Sequence, residues 1–261
     1  MIGVFDSGLG GLTVVKELHR QMPGYRIAYF GDTARTPYGG KSKELISQYA
    51  LEDARFLVSR GAQIIVVACN TASAVAMGTL RAELPVPVWE VISPAVAAAV
   101  KVTKGRIGLI GTRATVGSGT YQHHLEIEAP EAEVFAEPCP LFVPFVEEGW
   151  HRSKAVREVA RTYLNQLKLR RIDTLILGCT HYPFLRPVIA AAVGKGVRLI
   201  DPARETVAAL KRHLAVNPEL AKSLDRVGSD SYTVSDRTDQ FARIASDWLG
   251  RPVELETVRL G

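Results

Sequence analysis

The sequence predicts an α/β protein built from two similar parallel-sheet half-domains that face each other across a cleft, a duplication with pseudo-twofold symmetry. Three observations lead there. Apolar strand-like runs alternate with helical patterns from the first residues, which gives parallel strands covered by helices on both faces. The alternation then runs a second time, with four more strands in the same order. The third strand of each set ends in a small residue and a cysteine, I-I-V-V-A-C-N-T-A-S over Ile64–Ser73 and T-L-I-L-G-C-T-H-Y-P over Thr174–Pro183.

Taken in order, the first set reads as strands at Ile2–Asp6, Arg26–Asp32, Ile64–Cys69 and Val86–Ile92, with helices near Gly11–Gln21, Ser42–Arg60 and Ala72–Glu83 between them. The second reads as strands at Arg106–Gly111, Glu133–Cys139, Thr174–Cys179 and Val197–Asp201. The fourth members also echo one another. V-I-S-P-A-V-A-A-A-V at Val91–Val100 matches L-I-D-P-A-R-E-T-V-A-A-L at Leu199–Leu210, each with a proline that opens a helix. Four ordered correspondences suggest an internal duplication. The helix from Pro94 carries the chain into the second half and the helix from Pro202 brings it back. A short strand at Tyr232–Ser235, a helix at Asp236–Leu249 and a strand at Val253–Val258 then extend the first half. The expected domains are residues 1–95 with 207–261, and residues 96–206, with the active site between them.

Composition narrows the function classes. With 261 residues and 47% hydrophobic content the chain has ample material for a core. No apolar stretch reaches transmembrane length; the longest candidate, Ala95–Val100, is short and alanine-rich. The chain goes directly into I-G-V-F-D with no basic, apolar and small-residue signal, which predicts a cytoplasmic protein with no membrane partner. A net charge of +5 is compatible with a small acidic substrate. Nucleic acid is not an expected partner, because the densest basic stretch, His151–Arg171, places Val156, Val159, Ala160, Tyr163, Leu164 and Leu167 at helical spacing with its cations between them, as on a solvated helix face. Three cysteines, Cys69, Cys139 and Cys179, without a C-x-x-C pair argue against a disulfide framework and a zinc cluster.

The polar residues gather at the carboxyl ends of the strands, where α/β sheets bind ligands. Gly8-Leu9-Gly10-Gly11 follows the first strand, but its spacing departs from a dinucleotide fingerprint. It reads either as a small-ligand loop, with Asp6 for a proton or an ammonium group and Ser7 for a carboxylate, or as a tight turn with a helix cap. The loop G-D-T-A-R-T-P-Y-G-G at Gly31–Gly40 is a second candidate contact, although its tyrosine fits a packing role equally well. A buried cysteine after a strand is by default a small core residue. Asn70, Thr71 and Ser73 beside Cys69, and Thr180 and His181 beside Cys179, are polar company a core does not need. Helix N-termini after the cysteines are expected to favour a thiolate. His181 is placed to tune Cys179 and Asp6 to tune Cys69, whereas Cys139, between Pro138 and Pro140, reads as structural.

Paired cysteines admit three chemistries. Acyl transfer needs one nucleophile and leaves the second thiol unemployed. Dithiol redox needs the sulfurs about 2 Å apart when oxidised. Acid/base work on a carbon held between them needs each sulfur roughly 3 to 3.5 Å from it, hence about 7 Å from its partner. Facing half-domains supply the third geometry, in which a proton removed from one face and returned to the other inverts a stereocentre.

At this point the chain resembles a known family, the cofactor-independent glutamate racemases of the aspartate/glutamate racemase superfamily. The resemblance covers essentially the full length, through F-D-S-G-L-G-G at Phe5–Gly11, G-D-T-A-R-T-P-Y-G at Gly31–Gly39, A-C-N-T-A-S at Ala68–Ser73, C-P-L-F-V-P-F-V-E-E-G at Cys139–Gly149 and G-C-T-H-Y-P at Gly178–Pro183. It implies interconversion of L- and D-glutamate without pyridoxal phosphate, metal or nucleotide, supplying D-glutamate for peptidoglycan precursors. By that resemblance Cys69 takes the α-proton of D-glutamate and Cys179 that of L-glutamate. Asp6, His181 and Glu147, with Glu148 adjacent, match assisting residues. Ser7, Tyr38, Gly39, Asn70, Thr71 and Thr180 match substrate contacts, along with Asp6 and His181. The resemblance also admits a homodimer without selecting an arrangement. Family members activated by a wall precursor carry an N-terminal extension; this chain opens on the first strand, so that activation is not expected. A relative acting on aspartate, a carboxylate-binding regulator without turnover and a dithiol redox protein are the competing readings.

Overall fold

The computed structural model describes residues 1–224 and 226–260; Asp225 and Gly261, both within the expected 207–261 segment, lie outside the described residues. Among the described residues ten strands in chain order are β1 (Ile2–Asp6), β2 (Ile27–Gly31), β3 (Ile64–Val67), β4 (Val88–Glu90), β5 (Arg106–Gly111), β6 (Glu133–Pro138), β7 (Thr174–Gly178), β8 (Arg198–Ile200), β9 (Ser231–Val234) and β10 (Glu256–Thr257). They form a six-stranded sheet, β10-β9-β2-β1-β3-β4, and a four-stranded sheet, β6-β5-β7-β8. Every strand pairing is parallel. The order β2-β1-β3-β4 of the first four strands recurs as β6-β5-β7-β8 in the next four. The fold is therefore α/β with the same strand order written twice, and the cysteines follow equivalent strands.

The apolar runs are buried on both faces because helices cover both. β1, β2, β3 and β7 are buried at every residue. Around the first sheet lie α1 (Leu12–Gln21), α2 (Lys43–Ser59), α3 (Asn70–Val75) and α4 (Met77–Glu83). Next come α5 (Ile92–Val102), α6 (Arg113–Gly117), α7 (Thr120–Glu128), α8 (Phe142–Glu147), α9 (Lys154–Leu169) and α10 (Arg186–Val193). The chain finishes with α11 (Pro202–Val216), α12 (Pro218–Ser223) and α13 (Asp239–Leu249). In α9 the buried residues are Val156, Ala160, Leu164 and Leu167, while Arg157, Arg161 and Lys168 face solvent, and Ser153 caps the helix by accepting from the Val156 N–H at 3.1 Å.

Two crossovers join the sheets. Ile92, Ala95, Val96 and Ala99 of α5 enter one core with Ile107, Leu109 and Ile176 of the second sheet. Ala203, Val207, Leu210 and Leu214 of α11 enter the core of the first sheet with Ile2, Val4 and Ile64. Three expectations change. The helix expected over Ala72–Glu83 is two, interrupted at Ala76 (φ −101°, ψ −8°) with the weak helix former Gly78 close behind it. The break lets α3 pack on α6 beside the cleft while α4 covers β4. The strand expected over Val253–Val258 shrinks to the two exposed residues of β10, an edge kept short. After Cys179 the chain enters a 3-10 turn, Tyr182–Leu185, before α10, so no α-helix starts directly at that thiol. No helix among the described residues is long and apolar enough to cross a membrane.

Candidate active site

Parallel pairing sends the carboxyl ends of β1, β3, β5 and β7 toward the gap between the sheets, and the residues just past them build one cavity. Ser7, Cys69, Asn70, Thr71, Thr112, Cys179, Thr180 and His181 line it, with Thr36–Gly39 and Val143 closing the sides. It has about 340 Å³ of empty volume and is narrow. Both thiols open onto it, and all three cysteines are free. The third, Cys139, is fully buried in the core under α9 and α10 and does not line the cavity.

Cys69 is the residue before α3, with its Sγ 3.5 Å from the Ser7 Oγ. Burial and the nearby charge of Asp6 push its thiol up to about 12, although the Ser7 hydroxyl and the N–H groups of Ala72 and Ser7 act in the other direction. This corrects the expectation that a helix N-terminus favours the thiolate here. A six-residue helix in a dry site does not offset desolvation. Asp6 is fully buried and accepts from the Gly8 N–H at 3.1 Å and the Thr180 hydroxyl at 3.4 Å. Its carboxyl is raised by burial, against the charge of His181 and its hydrogen bonds. Asp6 thus reaches from the first sheet to the Thr180 side of the cleft.

On that side Cys179 Sγ lies 3.9 Å from His181 Nδ1, and His181 Nε2 lies 3.1 Å from Glu147 Oε1 at the end of α8. Burial disfavours a charged His181, but its hydrogen bonds and charge interactions with Cys179 and Glu147 prevail and raise it to about 10. Trp248 of α13 meets the His181 ring edge-on at 5.6 Å, and Gln240 donates to the Glu147 carbonyl at 3.1 Å.

The remaining expected residues separate by what they touch. Asn70 Oδ1 accepts from the Tyr121 hydroxyl at 2.7 Å. Thr71 Oγ1 sits 3.0 Å from Thr112 Oγ1 and 3.2 Å from Thr115 Oγ1, a hydroxyl cluster spanning the two sheets. Tyr38 lines the cavity, yet its hydroxyl turns away to Asp32 and Asp53. Gly39 lies against Thr112 so closely that an added Cβ would stand 2.7 Å from the Thr112 Cβ. Glu148 stands one residue past α8 and lines a separate apolar surface pocket with Leu141 and Trp150. Sequence reasoning missed Thr112, Thr115 and Tyr121. The signal was present, since Thr112 follows β5 as Ser7 follows β1, but no cysteine or glycine loop marks it.

Comparison with known proteins agrees with this arrangement. A family model described as Asp/Glu/Hydantoin racemase matches residues 12–210. A glutamate racemase of Geobacter metallireducens is 46% identical over 250 residues, covering 95% of this chain and 92% of the relative. One of Enterococcus faecalis is 44% identical and covers 100% and 96%. Among solved structures, a glutamate racemase isoform from Bacillus anthracis superposes with a TM-score of 0.93 at 38% identity, covering 100% of this chain and 97% of that one. The Francisella tularensis glutamate racemase in complex with D-glutamate gives 0.92 at 37% identity, covering 99% and 97%. Two parallel sheets of repeated order, paired thiols in one cleft and relatives matched from end to end place this chain among the glutamate racemases of the Asp/Glu/hydantoin racemase family.

Proposed function

We propose that this protein interconverts L- and D-glutamate by a two-base reaction at the α-carbon, supplying D-glutamate for peptidoglycan precursors in the cytoplasm. The observation that carries this reading is that Cys69 and Cys179, following equivalent strands of two sheets, open onto one cavity with the hydroxyls and amides a carboxylate needs. The Francisella tularensis relative holding D-glutamate supports the choice of substrate. The cleft separates two units whose limits we place at the α5 and α11 crossovers, close to residues 1–95 with 207–261 and residues 96–206.

The two thiols stand in unequal surroundings, with His181, held by Glu147, beside the Cys179 sulfur. By the family resemblance Cys179 is the base for L-glutamate and Cys69 the base for D-glutamate. Cys179 takes the α-proton of L-glutamate, and the electron pair moves into the adjacent carboxylate. Cys69, protonated at rest, delivers its proton to the opposite face to give D-glutamate. The sequence ends with Cys179 protonated and Cys69 as thiolate, which is the state that runs D-glutamate back. The Asn70 and Thr71 side chains and the backbone N–H groups of the Thr180 turn are the donors for the substrate carboxylate and the charge that develops on it. So narrow a cavity implies that the units part for glutamate to enter and that their closure then excludes water.

The test is incubation of the pure protein with D-glutamate, without added cofactor, followed by circular dichroism. The signal decays to zero as the racemate forms. An unchanged signal, or inversion of aspartate with glutamate untouched, would overturn the assignment.

A further inference from the structure

Behind the Thr36–Gly40 segment lies a buried acidic knot that the racemisation chemistry does not use. Asp53 is on α2, on the helix face otherwise made of Ile46, Ala50, Ala54 and Leu57, and it is fully buried. Asp32, one residue past β2, is fully buried as well. The Tyr38 hydroxyl contacts both, reaching Asp32 Oδ2 and lying 2.9 Å from Asp53 Oδ2. Arg35 is the cation between them, with Nε 2.6 Å from Asp32 Oδ2 and Nη2 3.0 Å from Asp53 Oδ1, and it pairs with Glu52 too. Ser235 donates to Asp32 Oδ1 at 2.8 Å.

Proton counting decides the state of this knot. A phenol has one proton to donate and here faces two carboxyl oxygens. Asp32 already accepts from Arg35 and Ser235, as an ionised carboxylate does. If Tyr38 donates to Asp32, its oxygen faces Asp53 Oδ2 lone pair to lone pair unless Asp53 itself carries a hydrogen. Of the three carboxyl groups around Arg35, Asp32 and Asp53 are fully buried, and one arginine does not offset both in a dry interior.

We propose that Asp53 is a positioning residue that holds a proton at neutral pH, donating through Tyr38 to Asp32 and so locking the Thr36–Gly40 wall of the substrate cavity in place. Burial first, and then the charge of Asp32, raise the Asp53 carboxyl well above its ordinary range, against the Arg35 charge. The groups facing Asp53 are Asp32 past β2, Arg35 and Tyr38 in the connecting segment, Glu52 on α2, and Tyr29 on β2 at longer range. The wall needs such a lock because Gly39 fits against Thr112 with no room for a Cβ, so a small outward shift opens the cavity.

The inference rests on the racemase reading, and one of its two tests does not depend on activity. Asparagine at this position donates an N–H where the protonated acid donates its O–H. In kinetics with D-glutamate, Asp53→Asn keeps KM within about twofold and removes an alkaline rise in KM that the native protein shows. Asp53→Ala raises KM by about tenfold, the scale of one buried hydrogen bond to a charged network, with kcat little changed. In infrared difference spectra at neutral pH, Asp53→Asn loses a carboxylic acid C=O band present in the native protein. Equal damage from Asn and Ala, an alkaline rise retained in Asp53→Asn, or no lost acid band would overturn the proposal. An inactive native protein with the acid band present would refute the racemase reading and leave the protonated Asp53 standing.

Discussion

At the scale of single residues, the chemistry is an asymmetry between two thiols. Cys69 has a hydroxyl and a buried carboxyl for neighbours, and Cys179 has the His181 ring. In the two-base reaction proposed above each is acid in one direction and base in the other, so Cys69→Ser or Cys179→Ser is expected to remove racemisation in both directions. The expected loss is at least about a thousandfold in kcat/KM, or about 4 kcal/mol of barrier. Near-native turnover by either variant, measured from each enantiomer, defeats the two-base scheme. His181 carries a pH signature as well. Its pKa in the folded protein is raised from 6.5 to about 10, so its contribution to stability is complete below pH 6.5 and is lost as the pH climbs to about 10. The native melting temperature is expected to fall through that window, and His181→Asn to show a flatter profile there. The thiols and His181 were legible in the sequence because each follows an apolar run that explains nothing polar. The state of Cys69 was not legible, since the desolvation that raises it belongs to the assembled cavity.

At the scale of elements, local signals served best where one segment decides its own structure. Ser153 before α9 and the spacing Val156, Ala160, Leu164, Leu167 specify a capped amphipathic helix without reference to the rest of the chain. Ser153→Ala is therefore expected to destabilise the protein by about 1 kcal/mol, read as a shift of the urea midpoint with an unchanged slope. The division of Ala72–Glu83 into α3 and α4 was hidden because its cause is tertiary, with α3 held against α6 and α4 against β4. The acidic knot was hidden for the same reason. Asp53 reads as a polar residue on a helix until β2 and the Arg35 loop arrive beside it.

At the scale of the whole molecule, function depends on how closely the two sheets approach. Gly10, in the turn after β1, is one place where they touch: a Cβ there would run into the Thr180 Oγ1 and stand 2.6 Å from the His181 Nδ1. Gly10→Ala cannot be absorbed without displacing His181 or widening the cleft. It is expected to abolish turnover while the far-ultraviolet dichroism stays native, and activity within twofold or so of native would show that this contact does not set the geometry. The repeated strand order was legible from the fourfold echo in the sequence, but its consequence, one cavity shared by both thiols, needed the coordinates. The most direct test of that sharing follows deuterium in heavy water, early in a reaction that starts from D-glutamate. A separate base on each face predicts that the L-glutamate product carries α-deuterium from the outset while unreacted D-glutamate keeps its protium. Equal labelling of both enantiomers from the earliest times would mean that one base serves both faces, and would contradict the account.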